Sequence, residues 1–220
     1  TLYALDLPGF GGSETPRRPC TLQNYADSIR VFIESRIQPA PHRDTGGISD
    51  AGNPESRIIL VGHSFGARVA IKLAAEYPER IQKLVLVDSG GARPNSAKRR
   101  VLDGLAKFAK PFFQPGFMQP LRKKIYQKLG AEDYIATPEL QQTLVNIINE
   151  DLAPLFPKIK VPTLIVWGEN DKETPLSYGE EMHRAIRGSR LAIIKNAGHF
   201  SFLDQPKQYV KILTDFIGEI

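Results

Sequence analysis

At 220 residues, with 41% apolar side chains and a net charge of +5, the chain is long enough to bury the core of one sizeable domain. No window approaches about 18 consecutive apolar residues, which argues against a membrane-spanning helix. Cys20 is the only cysteine, so no disulfide can close within the chain, a usage that fits a reducing, cytoplasmic compartment.

The pattern predicts alternating strands and helices. Residues 1–6 read as a strand, followed by a loop over 7–20 and a helix over 22–37. From Gln38 to Ser56 the chain is rich in Pro, Gly, Asp and Ser without apolar periodicity, and it reads as an exposed insertion. A strand at 58–62, a helix at 65–77 and a strand at 83–88 follow. The helix stops at Tyr77-Pro78 because proline cannot continue a helix interior. Strands at 161–167 and 190–195 enclose a helix at 176–187. A last helix covers 206–219, with Asp204 before Pro206 as its expected cap. Runs such as Leu84 to Val87 are apolar without alternation, as parallel strands covered on both faces should be. The fold class predicted is α/β, a mostly parallel sheet flanked by helices.

Residues 91–155 break that rhythm and read as a helical lid inserted into a core of 1–90 and 156–220. One apolar stripe is Val101, Leu102, Leu105, Phe108 and Ala109, and another is Leu121, Ile125 and Leu129. A third runs Leu140, Leu144, Val145 and Ile148, opened by Thr137 as N-cap and Pro138 at the first helical position. An insertion at this point would cover the end of the strand at 58–62 and exclude water there.

Gly62-His63-Ser64-Phe65-Gly66 directly follows the apolar run Ile58 to Val61. Strand, Gly-x-Ser-x-Gly, then helix is the context in which a serine becomes a nucleophile. Ser64 must occupy a sharp, strained turn, and side chains at 62 or 66 would clash where the strand folds back on its helix. Ala67, Ala70 and Ala74 suit close packing of that helix on a sheet. The plainer reading is a serine in an ordinary strand-to-helix loop.

A serine hydroxyl is a poor nucleophile at neutral pH and needs a base. The chain has four histidines. His63 lies inside the motif and is expected to point off the elbow. His42 lies in the Pro/Gly-rich insertion, and His183 on a surface helix. His199 remains, in the loop Asn196-Ala197-Gly198-His199-Phe200 at a strand end, well placed to swing over a nucleophile. An acid must orient its imidazole. Asp171, in the long loop after the strand Thr163 to Val166, is favoured for reach. Asp88, at the end of Leu84 to Val87, stays open as the alternative.

The order Ser64, Asp171, His199 is that of the α/β-hydrolase fold. The chain resembles the α/β-hydrolase superfamily, in its serine-nucleophile esterase and lipase branch, through five segments. They are Asp6-Leu7-Pro8-Gly9-Phe10-Gly11-Gly12-Ser13, Gly62-His63-Ser64-Phe65-Gly66, Tyr77-Pro78-Glu79-Arg80-Ile81, Trp167-Gly168-Glu169-Asn170-Asp171 and Asn196-Ala197-Gly198-His199-Phe200. The resemblance spans nearly the whole chain apart from 91–155 and is poor for substrate. It implies that the Phe65 N–H is one oxyanion donor. It also implies three strands and a helix before Thr1, with the second donor on a loop among them. On this reading the chain is N-terminally incomplete, and losing one donor would lower its rate about a hundred- to a thousandfold. A smaller departure is Asp204-Gln205-Pro206, where Glu-x-Pro is common.

Between 91 and 130 ten basic residues face one acid, Asp103, a local +9 that leaves the remainder near −4. Phe108, Phe112, Phe113, Phe117 and Tyr126 are interleaved. Either this is a solvated helix face, or the lid makes weak contact with an anionic membrane or draws in anionic substrates. No recognition fold accompanies the charge, which argues against nucleic acid as a partner. Gly9-Phe10-Gly11-Gly12 is not a dinucleotide fingerprint, because the third glycine would fall at Glu14. No metal-ligand cluster is visible, and no cofactor is expected.

The expected chemistry is hydrolysis of a carboxylic ester or similar acyl compound, the small-molecule substrate, through an acyl-enzyme. Carbon–carbon bond hydrolases, lactonases and perhydrolases use the same three side chains and stay open. So does a non-catalytic receptor or scaffold. Dehalogenases and epoxide hydrolases of this fold use an aspartate where this chain has Ser64.

Overall fold

The computed structural model describes residues 1–36, 57–91 and 138–219. The predicted insertion at 38–56 and the lid stripes over 101–129 lie outside them. The chain divides into two compact units, residues 21–92 with 148–220 and residues 1–20 with 93–147.

The larger unit is built on a parallel sheet of four strands in the order β1 (Ile58–His63), β2 (Ile81–Val87), β3 (Thr163–Gly168) and β4 (Arg190–Ile194). Helices α1 (Leu22–Arg36), α2 (Phe65–Glu76), α4 (Leu176–Ala185), α5 (Ser201–Asp204) and α6 (Pro206–Gly218) belong to it. A further helix, α3 (Pro138–Asn149), starts in the smaller unit. Strand limits fall within two residues of those the sequence predicts. Short 3-10 turns at Pro78–Arg80 and Ala153–Lys158 are additions.

Alternation along each strand assigns two faces. Val85, Val87, Leu164, Val166 and Ile194 pack with Phe216, Ile212, Leu213 and Tyr209 of α6. The intervening Leu84, Leu86, Ile165 and Trp167 are fully buried on the other face. There Gly179 of α4 approaches Trp167 so closely that a Cβ would lie 2.6 Å from the indole. Helix α2 packs on β1 and β2, with Ala67, Ala70 and Ala74 all buried, and α1 packs on α2. Burial on both faces explains why these strands lack alternating polarity.

The pairing also brings the carboxyl ends of the strands to one edge. His63 is level with Val87, Val87 with Val166, and Gly168 with Ile194. Residues that follow these ends emerge together, which is where open α/β sheets hold ligands.

In the smaller unit two expectations are corrected. Residues 1–7 form no strand, because no strand of the described residues pairs with them, and Leu2 is 93% exposed. Their order comes from a turn instead. Gly12 N donates to Asp6 Oδ2 (2.9 Å), Ser13 Oγ to the Asp6 carbonyl (2.7 Å), and Gly9 N to the Glu14 carbonyl (2.9 Å). The buried stripe of α3 is Leu140, Thr143 and Ile147, while Val145 and Ile148 are exposed. The buried side follows Leu140 and Ile147, two turns apart, and the polar residues beside them are satisfied: Thr143 Oγ1 accepts from Cys20 N (2.7 Å), and Asn146 Nδ2 donates to the Cys20 carbonyl (3.2 Å).

Candidate active site

Ser64 sits between β1 and α2 at φ 49° and ψ −109°, a left-handed backbone that side-chain-bearing residues rarely adopt. Such a conformation costs about 1–3 kcal/mol and persists only where its surroundings impose it. One restraint is Ser64 N, which donates to the Val87 carbonyl (3.0 Å) and extends the β1–β2 ladder past His63. Another is close approach at Gly62, where a Cβ would lie 2.6 Å from the Gly66 carbonyl oxygen and 2.7 Å from Ala67 Cα. Gly66 is different from expectation: among the described residues a Cβ there meets nothing within 4 Å, so space does not require glycine. The Phe65 amide opens α2, and its ring meets buried Tyr25 edge-on at 4.9 Å.

The three residues singled out in the sequence meet. His199 Nε2 lies 3.0 Å from Ser64 Oγ, and His199 Nδ1 lies 2.8 Å from Asp171 Oδ2. A carboxylate can only accept, so Nδ1 carries the proton and Nε2 is left to accept from the serine hydroxyl. Asp171 and His199 are buried, and Ser64 is half-buried.

Loop-to-loop bonding sets that distance. Glu169 N donates to the Ile194 carbonyl (3.0 Å) and Asn170 N to the Ala197 carbonyl (2.8 Å), binding the loop after β3 to the loop after β4. The strand ends touch so closely that a Cβ on Gly168 would overlap the Gly198 carbonyl oxygen. Asp204 does not cap α6, whose N-cap is Gln205. It lies at the end of α5 and turns back to accept from Gly198 N (2.7 Å), which braces the His199 loop. His183 is exposed on α4, as expected, and bonds Ser189 (3.0 Å). His42 lies outside the described residues.

Several neighbours were not singled out. Asp171 Oδ1 accepts from the amides of Glu173 (2.8 Å) and Thr174 (2.9 Å), and Oδ2 accepts from Thr174 Oγ1 (2.7 Å). The legible signal was Asp171-x-x-Thr174, a side-chain-closed turn. Glu173 places Oε2 3.6 Å from His199 Nε2. Burial alone would raise the Asp171 pKa, but the bonds from His199 and Thr174 outweigh it and hold it below the usual carboxylate range. Burial would likewise lower that of His199. The bond and charge of Asp171, with Glu173 and Asp88 beyond, prevail and raise it.

Asp88 does not bond His199. It is fully buried at φ 44°, with Oδ1 accepting from Gly168 N (2.7 Å) and Oδ2 from the Ser201 hydroxyl and amide. It ties the ends of β2 and β3 to the residues just after His199. Burial pushes its carboxyl up to about 6, although the bonds from Ser201 and Gly168 pull the other way. The folded state therefore holds this proton more tightly than the unfolded chain, whose value is near 3.8. The stability from that proton is present below about pH 4 and is lost as pH rises to about 6, on the order of 3 kcal/mol in all. Urea denaturation across pH should show Asp88→Asn gaining on the parent over that window and holding a constant offset above it. Parallel curves would contradict this.

Among the described residues no three His, Cys, Asp or Glu side chains converge as a metal would require, and no helix is long and apolar enough to cross a membrane. The sequence signature described as the alpha/beta hydrolase family matches residues 1–212. A 2-hydroxy-6-oxo-6-phenylhexa-2,4-dienoate hydrolase from Comamonas testosteroni is 27% identical over 97% of this chain and 76% of its own length. A pimeloyl-[acyl-carrier protein] methyl ester esterase from Neisseria meningitidis serogroup B is 30% identical over 97% of this chain and 81% of its own. The crystal structure of an enol-lactonase from Burkholderia xenovorans LB400 shares the fold, with a TM-score of 0.64 at 23% identity over 97% of this chain and 79% of that one. By this signature and these hydrolase relatives, the chain belongs to the alpha/beta hydrolase family.

Proposed function

We propose that this protein hydrolyses a carboxylic ester or similar small acyl compound through an acyl-enzyme. The observation that carries the reading is the continuous relay from Ser64 Oγ to His199 Nε2 (3.0 Å) and from Nδ1 to Asp171 (2.8 Å). Ser64 Oγ attacks the carbonyl carbon while its proton passes to His199 Nε2. The tetrahedral oxyanion takes a bond from the Phe65 N–H. The ester C–O bond then breaks, and the alcohol leaves with the proton held on Nε2. Water repeats the sequence: His199 takes its proton, the hydroxide adds to the acyl carbon, and Ser64 departs reprotonated. Asp171 keeps the proton of Nδ1 in place and stabilises the imidazolium in both halves. The bond and charge of Asp171 raise the His199 pKa, which strengthens the imidazole as a base.

A second reading places a carbon–carbon bond beside a carbonyl in the same frame. Its support is the likeness to the Comamonas hydrolase, whose named substrate carries a 6-oxo group. A panel of short p-nitrophenyl esters, a lactone and a vinylogous diketone separates the two. Ester turnover with an initial burst of p-nitrophenol is expected. Diketone cleavage without ester turnover would transfer the assignment to the second reading, and no turnover of any compound would favour a scaffold.

A further inference from the structure

We propose that His63, the residue before the serine, is a positioning residue that fixes the His199 backbone against the elbow. The inference rests on the reading of Ser64 and His199 given above. His63 Nε2 lies 2.8 Å from the His199 carbonyl oxygen. A carbonyl only accepts, so His63 donates from Nε2.

Side chains from outside it hold the His199 loop and the residue just after Phe200 at several points, the first being Glu169 Oε2, which accepts from the Asn196 amide (3.3 Å). The Gly198 amide goes to Asp204, the His199 carbonyl to His63, and the Ser201 amide and hydroxyl to Asp88. Of these, His63 alone belongs to the strand that carries the nucleophile. It is covalently next to Ser64, so a single hydrogen bond joins the backbone of the attacking residue to that of its base. Without that bond, the 3.0 Å separation of Ser64 Oγ and His199 Nε2 would depend on the longer route through β2 and β3.

The surroundings hold the His63 ring in one orientation. Its centroid is 4.9 Å from that of His199, 5.2 Å from Phe200 and 5.0 Å from Phe202. Among the described residues the charged or titratable groups that bear on it are the His199 imidazole and, behind it, Asp171. Burial, aided by His199, lowers its pKa against the opposing carbonyl bond and Asp171. A neutral His63 lets its neighbour become an imidazolium during the reaction without a second cation 4.9 Å away. The residue expected to point off the elbow thus points at the base's backbone.

The test compares the parent protein, His63→Phe and His63→Gln, each checked by thermal melting. The readouts are ester kcat and KM, and the rate at which a fluorophosphonate labels Ser64 from pH 5 to 9. His63→Phe keeps a ring and loses the donor, and a displacement near 1 Å costs about a hundredfold. We expect kcat and labelling to fall together by about ten- to a hundredfold, with KM little changed. His63→Gln, whose amide reaches the same carbonyl, should recover most of the loss. Equal rates in His63→Phe and the parent overturn the inference. So does a His63→Gln chain as slow as His63→Phe, because packing of the ring would then be the whole role. If His63→Phe does not fold, His63→Asn, too short to reach the carbonyl, replaces it with the same two outcomes. A parent unlabelled at Ser64 overturns the catalytic reading itself and this inference with it. A labelled parent with unaffected variants overturns the inference alone.

Discussion

Ser64→Ala is expected to lower ester turnover about a million-fold while leaving KM and folding nearly unchanged. The size of the effect follows from what the hydroxyl does. It is the atom that forms the acyl bond, so no rearrangement of His199 or Asp171 substitutes for it. Folding should survive because the elbow is imposed by the backbone, through the bond from Ser64 N to Val87 and the close approach at Gly62. Alanine tolerates the strained dihedrals no better than serine, yet it removes no bond that supports the turn. The measurement is steady-state hydrolysis of a short p-nitrophenyl ester beside a thermal melt. A variant that keeps even a tenth of the parental rate would exclude Ser64 as nucleophile.

Asp171→Asn is expected to lower kcat about ten-thousandfold, again with little change in KM. The hydrogen-bond frame dictates the reason. Asp171 Oδ1 already accepts from the amides of Glu173 and Thr174. An asparagine must keep its oxygen there and turn its NH2 toward His199 Nδ1. The imidazole then accepts at Nδ1 and carries its proton on Nε2, where it can no longer take one from Ser64. Asp88→Asn offers the contrast. Asp88 bonds Gly168 and Ser201 rather than the imidazole, so its replacement should keep kcat within about tenfold of the parent. If the two variants exchanged these effects, the carboxylate at the end of β2 would be the orienting acid.

The sheet, Ser64 and His199 were legible because each has a local signature, whereas Asp171 was separated from Asp88 only by the reach of its loop. Unbroken apolar runs mark the buried parallel strands β2 and β3. A glycine-flanked serine between strand and helix marks the elbow, and a glycine loop after a strand marks His199. What stayed hidden depends on partners distant in sequence. The first six residues have a strand's composition, but a strand exists only through a neighbour, and none of the described residues supplies one. The buried face of α3 carries Thr143 between Leu140 and Ile147, and the bond from Cys20 N to Thr143 Oγ1 is what satisfies a polar residue that apolar spacing alone does not place there. Asp204 has the sequence position of a cap, yet the nearest donor in space is the Gly198 amide. His63 and Asp88 act across separations of 136 and 80 or more residues, so nothing adjacent to them in the chain announces their partners. Gly66 shows the reverse, a motif position whose steric reason is not found among the described residues.

The claim on which the account turns is that the Ser64 hydroxyl becomes reactive by giving its proton to His199. Its most direct measurement is the rate at which a fluorophosphonate forms a mass-resolved adduct on the peptide containing Ser64, in the parent and in His199→Ala. One adduct is expected, on Ser64, formed in the parent and slowed by several orders of magnitude in the variant. An adduct on another residue, or equal rates at Ser64 with and without the imidazole, would contradict it.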